Sequence, residues 1–180
     1  MIMKTRNTII ILIGLLFCLT DISAQTRFYD TSRTFYEQGF TYVANVDGIV
    51  RLNNRDTRWI GVVQMNRDGT VRGFGRTVEQ NNSIQMQQLA RTIVSNAFTS
   101  AERQRIRGAK PLFVSIWADS QTGVVTDVQF AFGRTEGFAT IPVSTYRRIE
   151  LELRNRIRFV PTAEGRRRNF LFLGIEYEVR

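Results

Sequence analysis

Arg166, Arg167 and Arg168 stand side by side after Gly165, with Glu164 the only acid close to them. A guanidinium is a planar fork of donors that matches the paired oxygens of phosphate and carboxylate, so three of them in a loop freed by glycine form a candidate anion site. Lipid headgroups and acidic glycans carry such groups. Nucleic acid carries them too, but no fold signature of a nucleic-acid reader accompanies the arginines, and it is not the expected partner. The three close a longer basic stretch. From Arg147 to Arg168 eight arginines face Glu150, Glu152 and Glu164, and from Glu102 to Lys110 four basic residues face one acid. Within the first stretch Glu150 and Arg154, and Glu152 and Arg156, are spaced i,i+4 with the acid first, which neutralises charge locally and fits an ordinary solvated helix face equally well. Of 25 basic residues only Lys4 and Lys110 are lysines. Coding drift from lysine to arginine would produce that bias with no ligand involved.

Catalysis has few side chains to draw on. The chain of 180 residues has no histidine, and its one cysteine is Cys18, so disulfides within the chain, Ser-His-Asp chemistry and ordinary zinc sites are excluded. No metal or cofactor is expected. Asp119 and Asp127 flank a turn, and Glu176 and Glu178 share one face of the last strand; either pair could be imagined as acid and base, but such spacing is common on solvent-facing strands. Lys110 has no marked serine for a Ser-Lys dyad. Gly73-Phe74-Gly75 is not followed by the Gly-Lys-Ser/Thr of a phosphate loop. The aromatic pairs Phe28-Tyr29 and Phe35-Tyr36, with Phe40 and Tyr42, could stack on a sugar, although aromatics in this density usually fill a core.

The amino-terminal end reads as an export signal. Lys4 and Arg6 precede an almost wholly apolar run, Thr8 to Leu19, and Ile22-Ser23-Ala24 precedes Gln25, the three-part pattern of a secretory signal with cleavage expected after Ala24. The apolar run is short of the roughly 20 residues that cross a bilayer, so no transmembrane segment is expected after processing. Phe17 is too bulky for the residue before a lipid-modified cysteine, which argues against lipid on Cys18. The destination is the periplasm or the cell surface.

The elements that must position these residues follow from periodicity. Residues 25–82 read as a β-rich meander: Phe40 to Val46, a turn at Asp47-Gly48, Ile49 to Leu52, then Trp59 to Met65, a turn at Asp68-Gly69, and Val71 to Phe74. Residues 83–180 begin with a helix, Ser83 to Phe98, whose Met86, Leu89, Ala90, Ile93, Val94, Ala97 and Phe98 recur at helical spacing. Thr99 and Glu102 form a capping box for a second helix that Gly108 ends. Leu112 to Ala118 is apolar on both faces, as a central strand is. Gln121-Thr122-Gly123 turns into Val124 to Phe132, with Val124, Val128, Phe130 and Phe132 on one face. Val143, Tyr146, Ile149, Leu153 and Ile157 mark a helix running to Arg158 and stopped by Pro161. Ala163 to Arg168 reads as a polar loop, and Asn169 to Val179 as a closing strand with Leu171, Leu173, Ile175, Tyr177 and Val179 on one face.

The stretch from Leu112 to Val179 resembles the carboxy-terminal domain of the TonB energy transducer. The features that carry the likeness are a glycine turn between two strands, a helix, Arg158-Phe159-Val160-Pro161, Gly165 and an apolar last strand. The mature chain as a whole is similar to a family of small secreted bacterial proteins of unknown function, through Asp119 to Phe132, Ile141-Pro142-Val143, Arg148-Ile149-Glu150 and Phe159-Val160-Pro161-Thr162. The TonB likeness implies an α+β fold in which the meander and first helix precede a β-β-α-β unit with a three-stranded antiparallel sheet, and a habit of binding partners along an exposed strand. With no retained anchor and no proline-rich arm, energy transduction does not carry over. The expected role is therefore non-catalytic binding of an envelope protein or peptide, with Leu171, Leu173, Ile175, Tyr177 and Val179 as the candidate edge. The alternative is an accessory protein that holds an acidic polymer or lipid through Arg166, Arg167 and Arg168, and an uncharacterised hydrolase comes third.

Overall fold

The computed structural model describes residues 26–37, 39–70 and 83–178. Its strands are β1 (Arg33–Glu37), β2 (Phe40–Val46), β3 (Ile49–Asn54), β4 (Leu112–Asp119), β5 (Val125–Gly133) and β6 (Phe170–Tyr177), joined in one antiparallel sheet in the order β1-β2-β3-β5-β4-β6. The helices are α1 (Ser83–Ala97), α2 (Ser100–Ile106), α3 (Val143–Arg156) and the single turn α4 (Ala163–Arg166). The fold is α+β. Its three-stranded part β5-β4-β6 is half of the sheet, because β3 pairs with β5 from Ile49↔Gly133 to Asn53↔Gln129 and draws the amino-terminal meander into the same layer. That register sets Val50 against Phe132 and Leu52 against Phe130, so all four apolar side chains enter one core.

The helices cover one face. α1 packs against α3 and β6, and α3 against β5, and the stripe Val143, Tyr146, Ile149, Leu153 and Ile157 is buried throughout. The opposite face of the sheet carries the exposed Tyr36, Ile49, Phe113 and Phe172. Polar groups that enter the covered side are paired, as burial requires. Glu150 is 1% exposed and accepts from Arg147 at 2.7 Å, from Arg154 at 3.2 Å and from the Tyr42 hydroxyl. Burial, then the Glu150 carboxylate, pushes the Tyr42 hydroxyl well above the usual phenol range. The capping box on α2 forms, and the buried Glu102 takes the Thr99 N–H at 2.7 Å and the Thr145 hydroxyl at 2.8 Å. Burial alone would raise the Glu102 carboxyl, but the hydrogen bonds from Thr99 and Thr145 hold it below its ordinary value.

Three local expectations give way. Trp59 to Met65 is not a strand: Gly61 adopts φ 83, the Val62 N–H turns back to Trp59 O at 3.0 Å, and the Asp127 carboxylate takes the backbone N–H groups of Arg58 and Trp59 at 3.0 and 2.9 Å. A carboxylate thus replaces a strand partner, and the segment crosses the exposed face as a loop. Val124 is 39% exposed rather than on the Val128 face, because a bulge opposite Trp117/Ala118 interrupts the alternation between Val125 and Asp127. Ala163 to Arg168 contains the turn α4, capped by the Thr162 hydroxyl on the Gly165 N–H at 3.0 Å. Val71 to Phe74, Gly73-Phe74-Gly75, Val179 and the export signal lie outside the described residues. The glycine of the β4–β5 turn is required on two counts: Gly123 has φ 70, and a Cβ there would come within 1.9 Å of Phe159 O. That contact ties the hairpin to the segment that leads to α4 and β6.

Candidate strand edge and arginine cluster

β6 is the last strand of the sheet, bonded to β4 from Leu112↔Tyr177 to Asp119↔Phe170. Leu171, Leu173, Ile175 and Tyr177 are all buried, and their side chains point into the core. Their backbone is also spent. The outward carbonyls identify the other parity: Phe170 O accepts from Gln64 Nε2 at 2.9 Å and Glu176 O from Arg91 Nε at 3.1 Å. In an antiparallel ladder the N–H and C=O of one residue point to the same side and alternate along the strand. The odd-numbered residues therefore face β4, and the outward groups belong to Phe170, Phe172, Gly174 and Glu176. Side chains hold both ends of that row. At its middle, the N–H and C=O of Phe172 and Gly174 have no partner among the described residues. The candidate edge is thus the same strand displaced by one residue from the expected set.

The face beside this gap is aromatic. Phe172 is 45% exposed and meets Trp117 edge-on with ring centres 5.3 Å apart, and Phe113, 51% exposed, is opposite Glu176 in the register. Glu176 itself is exposed on the same face, and Glu178 follows the strand end.

The three adjacent arginines separate. Arg166 and Arg167 are exposed, whereas Arg168 is 1% exposed, bonded through Nη2 to Glu164 Oε1 and through Nη1 to Asn66 Oδ1, both at 2.7 Å. Its carbonyl accepts from the Ser120 hydroxyl at 2.6 Å. Arg168 is a buried tie between α4 and the loop from β3, withdrawn from any surface site because its side chain turns inward where Arg166 and Arg167 turn out. In its place the fold brings Arg67 beside Arg167, whose carbonyl accepts the Arg67 N–H at 2.8 Å, and Arg58 within 4.0 Å of Asp119. Neither Arg58 nor Arg67 is marked by a local pattern, since only the loop crossing carries them to α4.

The two aspartates, Asp119 and Asp127, have structural duties. Asp119 Oδ1 accepts the N–H groups of Gln121 and Thr122, each at 2.9 Å, and closes the β4–β5 turn. Burial would raise this carboxyl, but those N–H groups and the Thr122 hydroxyl hold it low. Asp127 holds the β3 loop as described. Tyr29 and Tyr42 are core residues, and Tyr36, 71% exposed, is the aromatic of that early group that faces solvent most fully. Among the described residues no cluster of three potential metal ligands occurs, and no helix is long and apolar enough to cross a membrane.

Residues 25–175 match the family model described as a domain of unknown function, DUF5043. The fold is similar to the crystal structure, at 1.85 Å resolution, of a DUF5043 family protein from Bacteroides uniformis ATCC 8492, with 30% sequence identity, a TM-score of 0.77 and coverage of 86% of this chain and 89% of that one. No curated protein matches the chain.

Proposed function

The chain belongs to the DUF5043 family, a domain of unknown function, and from that premise we propose that it is an exported, non-catalytic binding module of the cell envelope that takes an extended peptide by strand addition to β6. The observation that carries this is the gap at Phe172 and Gly174, where two N–H and two C=O groups face outward between the Gln64 and Arg91 clamps. A short strand laid there gains four backbone hydrogen bonds, each worth about 0.5–1.5 kcal/mol net. Association itself costs about 4–15 kcal/mol in lost freedom of motion, so backbone pairing is insufficient alone. Phe172 and Phe113 supply the apolar area a partner side chain needs, on the face toward which alternate residues of an added strand would point. The clamps keep the usable edge short, and a short edge protects against indiscriminate sheet extension. Support for export comes from the charged start, apolar run and small residue at Ala24; the family match begins at residue 25, the first residue that cleavage there would leave.

Hydrogen exchange tests the edge directly. In the isolated protein the amides of Phe172 and Gly174 exchange fast while those of Leu171, Leu173 and Ile175 are slow. With a partner captured by crosslinking in the cell envelope, Phe172 and Gly174 become protected. Slow exchange at both in the isolated protein means that the edge is already occupied, and ends the proposal.

A further inference from the structure

Where the loop from β3 passes the far end of β6, it leaves a cleft of about 300 Å³ lined by Arg58, Trp59, Met65, Asn66, Arg67 and Asn169. The side-chain acceptors in its wall are used up. Asn66 Oδ1 takes Arg168 at 2.7 Å, and Asn169 Oδ1 takes the N–H groups of Met65 and Phe170, each at 3.1 Å. The two side-chain amides are also spent, on Thr70 Oγ1 at 2.8 Å and Val63 O at 2.9 Å. The polar side chains that remain are donors. The Arg58 guanidinium lies 4.5 Å over the Trp59 ring, with its nearest carboxylate oxygen, on Asp119, 4.0 Å away. Arg67 makes two bonds of 3.3 Å, to the Arg168 carbonyl and the Ser120 hydroxyl, both neutral acceptors. The Trp59 indole N–H is buried and has no acceptor among the described residues. Among the described residues no lining residue is acidic.

Two cations around one concavity, with the Asp119 carboxylate near both but no closer than 4.0 Å to Arg58, have a common complement, a group that only accepts. We propose that this cleft binds an oxyanion, a carboxylate or phosphate on a ligand about the size of one sugar ring, with Arg58 and Arg67 supplying charge and the Trp59 ring, stacked under Arg58, forming the wall whose indole signal reports occupancy. The flanking Arg167 adds to the local positive potential without entering the lining. The site goes beyond strand addition at β6 and uses none of the groups at the Phe172–Gly174 gap, so either can fail alone.

Trp59 and Trp117 are the only tryptophans, and their two indole N–H signals make the test specific. The ¹⁵N-labelled chain is titrated at constant ionic strength with inorganic phosphate and, separately, with glucuronate. The Trp59 indole signal moves saturably while that of Trp117 stays, and Arg58→Gln weakens the effect about tenfold or more, as loss of a charged hydrogen-bond donor does. A response to phosphate alone assigns a phosphate-bearing ligand, to glucuronate alone a carboxylate, and to both an oxyanion site without further selection. Absence of any Trp59 response to either anion overturns the proposal, as does a response of equal strength in the Arg58→Gln and Arg67→Gln variants. Arg67 also ties Ser120 to Arg168, so should its variant fail to fold, the wild-type indole shift and Arg58→Gln decide the matter. Hydrogen exchange at Phe172 and Gly174 stays unchanged in Arg58→Gln, which separates this site from the strand edge.

Discussion

The arginines of α3 and those that follow it belong to one basic stretch of sequence, yet the fold uses them in opposite ways. On α3, Arg147 and Arg154 converge on Glu150, which is almost wholly buried, and Arg148 reaches the carbonyl of Ala97 on α1. Their charge is turned inward and neutralised there. Past Pro161, Arg166 and Arg167 remain exposed, and Arg58 and Arg67 arrive from another part of the chain to join them. Net charge along the sequence is therefore a poor guide to which cations are available to a ligand. What decides availability is whether a carboxylate lies inside the turn of structure that carries them. Near α3 it does. At the cleft beside β6 the acid that faces Arg58, Asp119, has one oxygen committed to its own hairpin.

If this contrast is right, the α3 cluster holds the fold, and the largest effect comes from breaking it. Replacing Glu150 by Ala leaves Arg147, Arg154 and the Tyr42 hydroxyl without their shared acceptor, and loss of one member of a buried ion cluster costs about 3–5 kcal/mol. Urea unfolding should show that loss as a fall in the midpoint, equal to it divided by the slope, with little change in the slope itself. A loss near that of a surface substitution would mean that water reaches Glu150, and would erase the distinction between the two clusters.

Arg168 sharpens the comparison because it lies within the exposed stretch but behaves like the α3 arginines. Arg168→Ala removes two bonds of 2.7 Å, to Glu164 and Asn66, and leaves a cavity. Glu164 keeps some contact with solvent, so the expected loss is smaller than for Glu150, about 2–4 kcal/mol by the same denaturation measurement. An unchanged midpoint would place Arg168 back among the free surface cations.

Sequence made the covered face legible and left the open one obscure, and the reason is range. The stripe on α3 and the Thr99/Glu102 capping box are set by neighbours three or four residues apart, and both form as expected. β1 escaped detection because Arg33–Glu37 mixes polar and aromatic residues and becomes a strand only by lying against β2. Pairing of β3 with β5 depends on residues far apart in the chain, so local pattern predicts the sheet at half its width. The edge shows the sharpest limit. Alternation of Leu171, Leu173, Ile175 and Tyr177 reveals which side chains face the core, but which backbone groups face outward depends also on the side on which β4 lies. That placement is absent from any local pattern, and it moves the candidate groups from those residues to Phe172 and Gly174. The arginine cleft was hidden similarly, since the run Arg166-Arg167-Arg168 drew attention to a buried residue and Arg58 and Arg67 gave no sign of joining it.

The smallest expected effect is also the cleanest test of where the chain keeps free charge. Arg166 donates to Pro161 O at 2.5 Å and Arg167 has no carboxylate bonded to it among the described residues, so replacing both by Ser removes two exposed cations and little packing. Surface changes of this kind usually stay within about 0.5 kcal/mol, and the unfolding midpoint of the double variant should match the parent within that margin. Ligand behaviour should change in a graded way instead. The lost charges lie outside the cleft lining and act through solvent, so phosphate affinity at low salt should fall modestly, and the difference from the parent should shrink as ionic strength rises and the Debye length contracts to about 10 Å or less. Titrations of the Trp59 indole signal at two salt concentrations measure this. A salt-independent loss would move Arg166 or Arg167 into direct contact with the anion, and a stability loss comparable to that of Arg168→Ala would show that all three arginines hold the fold.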